Sequence, residues 1–195
     1  MLSDLIRHQE ILVCILAYTM CITFFHLESD ATKPYKLIFV MNRDEYISRP
    51  TAALSWRDGL LGGWDMEQGR EGGTWLAMDK TGRIGFLTNI TTGGVVDPNA
   101  QGRGFLVVDW LKSEMSAEQY LTQLNEQDTL YNPFNLMLLT PDNSGYKVNR
   151  YTRGKTGHTE CYGPVTNNSG TFGISNSPQH QPYKKAVWGQ SELEP

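Results

Sequence analysis

Short apolar runs separated by polar turns divide this chain into elements. Leu37–Met41 is a continuous apolar run with polar residues beyond it, which predicts a buried β-strand. Cys21–Leu27 has strand propensity of its own. The polar segment 28–34 joins the two runs, so we predict a hairpin of adjacent core strands.

Later segments repeat this pattern. Five more have the composition of strands: Thr74–Met78, Ile84–Asn89, Phe134–Thr140, Tyr146–Thr152 and Thr171–Asn176. The first two are predicted to pair around the turn 79–83, and the next two around the turn 143–145. The chain after Pro50, above all Trp64–Trp75, is rich in glycine and charge and is interpreted as turns.

Three segments indicate helices. Phe105–Lys112 places Phe105, Val108 and Leu111 at helical spacing. Ser116–Gln119 is a capping-box pattern that opens a second helix, and Tyr183–Gly189 begins a third. Strands, two helices, strands and a terminal helix predict one α+β domain with antiparallel pairing and helices on the outside.

The N-terminal segment permits two interpretations. Ile11–Leu27 is apolar for 17 residues, which is slightly short for a membrane-spanning helix. It is either a weak signal anchor, or an upstream extension over residues 1–19 followed by the first core strand. We therefore expect residues 1–19 to be an apolar anchor or disordered, and residues 20–195 to form the domain.

Charge and cysteine content narrow the function. The net charge of −4 and the lack of a basic patch argue against nucleic-acid binding. Cys14, Cys21 and Cys161 form no CxxC or Cys/His cluster, so we expect no metal site and a reducing compartment. A reducing compartment fits a cytoplasmic protein.

The first candidate site is the charged motif that ends the Leu37–Met41 strand. Asn42, Arg43, Asp44 and Glu45 follow the strand directly. A guanidinium flanked by carboxylates at this place can bind a ligand bidentately or hold a neighbouring nucleophile. The alternative is a solvated turn whose charges pair only with each other.

Cys21 is the second candidate, because it directly follows Met20. Translation from Met20 and removal of that methionine would leave Cys21 as the first residue. Its own α-amine, with a pKa near ~8, could then take the thiol proton and make a nucleophile without a histidine. The alternative is a small buried apolar residue in a strand.

Such a nucleophile needs partners, and the sequence offers four. Arg43 and Asp44 would clamp Cys21 from the other strand of the hairpin. Asn89 and Asn176 both end predicted strands and could donate to an oxyanion. Gly72 and Gly73 would let the backbone approach a ligand, and the nearby Trp75 suits an apolar one.

The motifs together resemble one family. Its blocks occur here in order: Met20-Cys21, Met41-Asn42-Arg43-Asp44-Glu45, Ser48-Arg49-Pro50, Gly72-Gly73-Thr74-Trp75-Leu76, Leu87-Thr88-Asn89, Gly102-Arg103-Gly104, Tyr131-Asn132-Pro133-Phe134-Asn135-Leu136 and Gly173-Ile174-Ser175-Asn176. This is the NRDE family, or transport and Golgi organisation protein 2 family. The resemblance implies a four-layer α-β-β-α sandwich similar to N-terminal-nucleophile hydrolases. It also implies Cys21 as nucleophile beside Arg43 and Asp44, with looser matches at Asn89 and Asn176.

The same resemblance implies roles in Golgi organisation and protein secretion, haem movement, and mitochondrial and lipid metabolism. We expect a small apolar or amphipathic ligand in a hydrolase-like pocket, with haem as a carried ligand, and no firm cofactor. Cytoplasmic location with Golgi or mitochondrial association, and peripheral or no membrane contact, follow from it. The alternatives are a cysteine amidohydrolase that cleaves a small amide or acyl substrate, and a protein anchored by residues 11–27.

Two departures from the family pattern are expected to matter. Residues 1–19 precede the usual family start and, if retained, would leave Cys21 without a free amine. The family also continues beyond the last residue of this sequence, so we expect a sandwich that is incomplete at its C-terminus.

Overall fold

The structure is a computed structural model that describes residues 20–30, 32–91, 93, 96–127, 129–143, 145–154 and 157–194. The predicted anchor or disordered extension over residues 1–19 lies outside this range. These residues contain ten strands: β1 (Ile22–Leu27), β2 (Leu37–Asn42), β3 (Thr51–Arg57), β4 (Leu60–Asp65), β5 (Thr74–Asp79), β6 (Ile84–Asn89), β7 (Phe134–Pro141), β8 (Tyr146–Gly154), β9 (Gly157–Asn167) and β10 (Gly170–Ser175). The helices are α1 (Gly104–Lys112), α2 (Ala117–Glu126) and α3 (Lys184–Leu193).

The strands form two antiparallel sheets. The small sheet has the order β10-β1-β2, so the first strand of the domain is paired with the last. The large sheet runs β3 to β9 in sequence order. In the small sheet Ile22 lies opposite both Asn42 and Ser175. The residues that adjoin these three, Cys21, Arg43 and Asn176, therefore lie together at one end of the sheet.

One apolar core lies between the sheets. Phe25 of β1 stacks on Phe39 and Phe172 within the small sheet and meets Phe86 of the large sheet edge to face, with ring centres 5.7 Å apart. Met137 and Leu139 of β7 belong to this core. Fully buried aromatic rings of this size contribute much of the free energy of such a core.

A second core lies on the opposite face of the large sheet. Alternate β7 residues, Phe134, Leu136 and Leu138, pack there against α1 and α2. Leu106 and Val107 of α1 contribute to it. Of the predicted inward positions Val108 and Leu111 are buried, whereas Phe105 is exposed. β7 is therefore buried on both faces, and its sequence is accordingly a nearly continuous apolar run.

Helix α3 covers the outer face of the small sheet. It contacts β1 and β10. A side chain at Gly173 of β10 would overlap the Ala186 carbonyl, and one at Gly189 would overlap the ring of Phe24. The layer order is thus helices, large sheet, small sheet and helix, which confirms the expected α+β class and the outer position of the helices.

The segment after Pro50 differs from the sequence interpretation. Residues 51–65 form the hairpin β3–β4 instead of turns, and β9 was not predicted. The capping box at Ser116 is present as expected, with Gln119 N–H donating to Ser116 Oγ and Ser116 N–H donating to the Gln119 side chain.

Candidate active site

The predicted catalytic residues line one cleft beside the end of the small sheet. Cys21 precedes β1, Arg43 and Asp44 follow β2, Asn89 ends β6, and Asn176 follows β10. All five line a cleft of about 530 Å³. The pairing of β1 with both β2 and β10 brings four of these residues together, and the packing of the two sheets adds Asn89.

Cys21 is held mainly by backbone contacts. Its Sγ donates to the Asp44 carbonyl oxygen at 3.7 Å, and its own carbonyl accepts from Ser175 Oγ at 2.7 Å. Burial raises the pKa of the Cys21 thiol, opposed by the Asp44 hydrogen bond and the charge of Arg43. The thiol is therefore protonated at neutral pH, and a base is needed to make it a nucleophile.

Asp44 also binds the chain just before Cys21. The Met20 N–H donates to Asp44 Oδ2 at 2.9 Å. This nitrogen lies one residue before the nitrogen of Cys21, which would be the α-amine of a chain that starts at Cys21. The Asp44 carboxylate is therefore near the place of that amine, and a carboxylate attracts an ammonium group.

Arg43 is fixed by an aromatic ring and a carboxylate. Its guanidinium carbon lies 4.2 Å from the centre of the Trp75 ring, and its Nη2 lies 3.8 Å from Glu45 Oε2. The stacking is a cation–π contact. The contact holds the charge of Arg43 in the cleft near Cys21.

Asn176 is a buried lining residue of the cleft, and its side-chain amide already donates one hydrogen bond. It is 4% exposed, and its Nδ2 donates to the Asn89 carbonyl oxygen at 2.6 Å. Its own carbonyl accepts from Thr91 N–H at 2.9 Å. The Asn176 Oδ1 atom has no hydrogen-bond partner among the described residues. Asn89 is exposed, so its side chain is accessible from the cleft.

A buried polar network supports the strand end beneath these residues. Asn135 is fully buried, and its Nδ2 donates to Thr88 Oγ1, the Ser175 carbonyl and the Ser177 carbonyl, at 3.1, 3.3 and 2.9 Å. Its Oδ1 accepts from Thr152 Oγ1 at 2.8 Å. The network joins the large sheet to the end of β10 and fixes the segment that carries Asn176.

A second ion pair lies along the cleft. Arg49 donates to both oxygens of Asp65, at 2.6 and 3.3 Å, and lies 3.8 Å from Glu45. The bidentate pair joins the segment after β2 to the end of β4. Glu45 thus lies between Arg43 and Arg49.

The remaining arginines of the cleft, Arg70 and Arg103, are tied to carbonyls. Arg70 Nη2 donates to the Ala100 carbonyl at 3.3 Å, and Arg103 Nη1 donates to the Pro133 carbonyl at 2.8 Å. Burial and then the charges of Arg70 and Arg49 lower the pKa of Arg103 to about 10, against a smaller opposing effect of Glu45.

Some predicted residues lie elsewhere. Gly73 and Trp75 line the cleft. Gly72, with a φ of 84°, is in the turn before β5, and its N–H donates to the Asp65 carbonyl. Asn42 is an exposed residue at the end of β2. Neither of these two is a lining residue.

Arg49, Arg70 and Arg103 were assigned no role from the sequence. The signal for Arg103 was its position between Gly102 and Gly104, which allow close backbone approach. Within the described residues there is no group of three or more His, Cys, Asp or Glu side chains that could hold a metal ion. No described helix is both long and apolar enough to cross a membrane.

Comparison with known proteins points to one family. The sequence model of the family "Transport and Golgi organisation 2" matches residues 20–195. The mouse protein "Transport and Golgi organization 2 homolog" is 36% identical over 176 residues, which cover 88% of this chain and 62% of the mouse protein. The human "Transport and Golgi organization protein 2 homolog" is 34% identical with the same coverage.

The Drosophila melanogaster "Transport and Golgi organization protein 2" is 34% identical over 192 residues, which cover 90% of this chain and 64% of the fly protein. The chain therefore spans somewhat less than two thirds of the length of these relatives. The family match covers every strand and helix described above, including all the residues that line the cleft. The chain belongs to the Transport and Golgi organisation 2 family.

Proposed function

We propose that this chain acts in transport and Golgi organisation by binding a small amphipathic ligand in the cleft beside Cys21. The observation that carries the proposal is the convergence of separate segments, after β2, β6 and β10 and before β1, on one cleft of about 530 Å³. A cleft of this size suits a small molecule.

The composition of the lining favours an amphipathic ligand. Trp75, Leu87 and Phe105 supply apolar surface, while four arginines supply hydrogen-bond donors. A ligand with an apolar body and a polar end would use both kinds of surface. Haem and lipid-derived molecules are members of this class, and Cys21 offers iron a sulfur ligand if it loses its proton. We place the protein in the cytoplasm, associated with the Golgi or mitochondria.

Ligand titration with paired tryptophan variants tests the binding function. We expect octanoate and haemin to bind the full chain, measured by calorimetry and by absorbance respectively. Trp75→Ala should weaken binding about tenfold, because it removes a lining ring of the kind that contributes ~1.5–3 kcal/mol on burial. The matched control is Trp188→Ala on α3, where the ring is 68% exposed and outside the cleft. Equal affinities for the two variants would contradict the proposal.

A cellular assay tests the biological role. In cells that lack the endogenous protein, the wild-type chain and the Trp188→Ala variant should restore secretion and Golgi shape, whereas Trp75→Ala should not. Full rescue by Trp75→Ala would show that the biological role does not depend on ligand binding in the cleft.

The second candidate is an N-terminal cysteine amidohydrolase. The favouring observation is the position of the Cys21 thiol beside the Asp44 carbonyl, with the Asp44 carboxylate at the preceding amide and Asn176 nearby. In a chain that starts at Cys21, the α-amine would accept the thiol proton. The thiolate would attack the amide carbon, and the oxyanion would accept a hydrogen bond from the second N–H of Asn176.

The nature of the first residue tests this candidate. A chain starting at Cys21 should hydrolyse acyl amides and form a covalent acyl-enzyme detectable by mass spectrometry. A chain starting at Met1, or one that carries Cys21→Ala, should not. Ligand binding that survives Cys21→Ala, with no turnover by the chain starting at Cys21, would leave binding as the function.

A further inference from the structure

The four arginines of the cleft differ in how their charges are balanced. Arg43 lies 3.8 Å from Glu45, and Arg49 lies 2.6 Å from Asp65. Arg70 and Arg103 have no carboxylate within 4.0 Å in the part of the chain that the structure describes. One part of the cleft therefore carries two positive charges that form no ion pair with a carboxylate among the described residues.

Arg70 lies beside the backbone that leads into Arg103, and its charge acts on Arg103. Arg70 packs against Gly102, the residue before Arg103, so closely that a Cβ at Gly102 would lie 2.7 Å from Arg70 Nη1. The charge of Arg70 is also the largest electrostatic influence on Arg103 after burial. Gly102 lacks a side chain, and Arg70 occupies the space that this leaves.

Most hydrogen-bonding capacity of the pair is left for a ligand. A guanidinium has five N–H donors. Among the residues that the structure describes, Arg70 donates one side-chain hydrogen bond, to Ala100, and Arg103 donates one, to Pro133. These contacts orient each group and leave several donors. Helix α1 begins directly after Arg103 without a side-chain cap, so its first N–H groups add positive potential.

A purely structural role does not explain the pair. Neutral amide side chains could donate to the Ala100 and Pro133 carbonyls without repelling each other, so these two hydrogen bonds do not require two arginines. Placing a second guanidinium beside a half-buried one destabilises the empty cleft, whereas an anion bound between them would relieve the repulsion. Paired arginines are suited to carboxylate and phosphate groups.

We propose that Arg70 and Arg103 form the subsite for the anionic group, a carboxylate or phosphate, of the ligand that occupies this cleft. The apolar body of that ligand then extends along Trp75 toward Cys21. The proposal rests on the binding function proposed above and specifies the polar end of the ligand.

Three probes with the same alkyl chain test it: octanoate, octyl phosphate and neutral octan-1-ol, each titrated into the full chain by calorimetry. At least one anion should bind about tenfold more tightly than the alcohol, about 1.4 kcal/mol, since hydrogen bonds between charged groups are stronger than those to a neutral hydroxyl. Octanoate as the tighter anion identifies a carboxylate subsite, and octyl phosphate identifies a phosphate subsite. The preference should weaken with rising salt.

Two variants remove the subsite in different ways. Arg70→Gln should remove the preference for the anion, about a tenfold loss, and leave the affinity for octan-1-ol unchanged. Gly102→Ala should displace the Arg70 guanidinium and reduce the same preference while every charge is kept. The matched control, Arg57→Gln, removes an arginine that lies over Trp64 outside the cleft and should bind as the wild type does.

The outcomes separate the two proposals. If octan-1-ol binds as tightly as both anions, or Arg70→Gln keeps the preference for the anion, the subsite is overturned and the binding function stands. If none of the three probes binds and haemin also fails, the proposed binding function is overturned together with the subsite.

Discussion

The guanidinium of Arg43 stacks on the ring of Trp75, with 4.2 Å between the guanidinium carbon and the ring centre. The contact joins the charged motif after β2 to β5, a strand of the other sheet. It therefore spans the two sheets at the cleft and keeps a positive charge close to Cys21. Burial raises the pKa of the Cys21 thiol, whereas the charge of Arg43 lowers it. Replacement of Arg43 should therefore shift this pKa measurably.

Replacement of Arg43 should make Cys21 less reactive. The guanidinium lowers the thiol pKa, although burial raises it above its ordinary value by more. Arg43→Gln should therefore shift the pH midpoint of Cys21 alkylation by iodoacetamide upward. The rate would be followed on the Cys21 peptide by mass spectrometry, so that Cys14 and Cys161 do not interfere. Arg57→Gln should leave the midpoint unchanged, and a downward shift in Arg43→Gln would show that the charge has no such role.

Removal of the Asn135 side chain should destabilise the domain. Its amide makes four hydrogen bonds to Thr88, Ser175, Ser177 and Thr152 in a fully buried site. Asn135→Ala would leave buried partners unsatisfied at a cost of about 3 kcal/mol. Urea unfolding should show this loss of free energy, and thermal unfolding should show a fall in Tm of roughly 6–12 °C. The exposed control Asn99→Ala should change stability by less than about 0.5 kcal/mol, and a similar value for Asn135→Ala would refute the role of the network.

The strands of the core could be predicted because their apolar runs are unbroken. β1 and β7 bury alternate or successive apolar residues. β2 was predicted to be a buried strand, but it lies at the sheet edge, where Ile38 and Val40 are exposed and the alternate residues are half-buried. The capping box at Ser116 needed only local information. Cys21, Arg43, Asn89 and Asn176 could be placed near each other because each one borders a predicted strand.

The hairpin β3–β4 could not be predicted, because its sequence is adapted to neighbours that are distant in the chain. Gly62 and Gly63 weaken the strand pattern of β4. A Cβ at Gly63 would lie 2.6 Å from the Trp75 ring, and one at Gly62 would lie 3.0 Å from the Leu76 carbonyl. The glycines make room for β5 and are not turn residues. Similarly, the proximity of Arg70 to Arg103 depends on the approach of two loops, which no local pattern encodes.

Asp79 should make the stability of the domain depend on pH. Burial alone would raise its pKa, but hydrogen bonds from Thr81 and Arg83 lower it below the ordinary value. A carboxyl whose pKa is depressed by folding stabilises the fold above its unfolded pKa of ~3.9, and this contribution is lost as the pH falls through the lower folded value. Arg83 also binds the Leu111 and Ser113 carbonyls at the end of α1, so the effect extends to that helix.

The expected result is a smaller dependence on pH in Asp79→Asn. Unfolding free energies from urea titrations at pH 7 and pH 3 should differ less in this variant than in the wild type, and the variant should be less stable by about 1–3 kcal/mol at pH 7. Asp58→Asn is a suitable control, because the Asp58 carboxylate pairs with Lys112 on the surface, where its side chain is 81% exposed. Identical pH dependence in Asp79→Asn and the wild type would contradict this account.

The docking of α3 on the small sheet depends on Gly173. A methyl group there would overlap the backbone carbonyl of Ala186, which cannot move unless the helix moves. Gly173→Ala should therefore cost about 1–3 kcal/mol and separate α3 from β10. Gly59→Ala is the matched control: its methyl would meet no atom within 4 Å, and the positive φ of 81° accounts for its entire cost.

Hydrogen exchange distinguishes the two glycine variants. In Gly173→Ala the amides of α3 should lose protection while those of β7 keep it, because α3 lies in the outer layer and β7 between the two cores. In Gly59→Ala the amides of α3 should stay protected. Since β10 also leads to Asn176, displacement of α3 should reach the cleft and weaken octanoate binding in Gly173→Ala alone. Unchanged α3 protection in that variant would show that the helix adjusts to the added methyl without undocking.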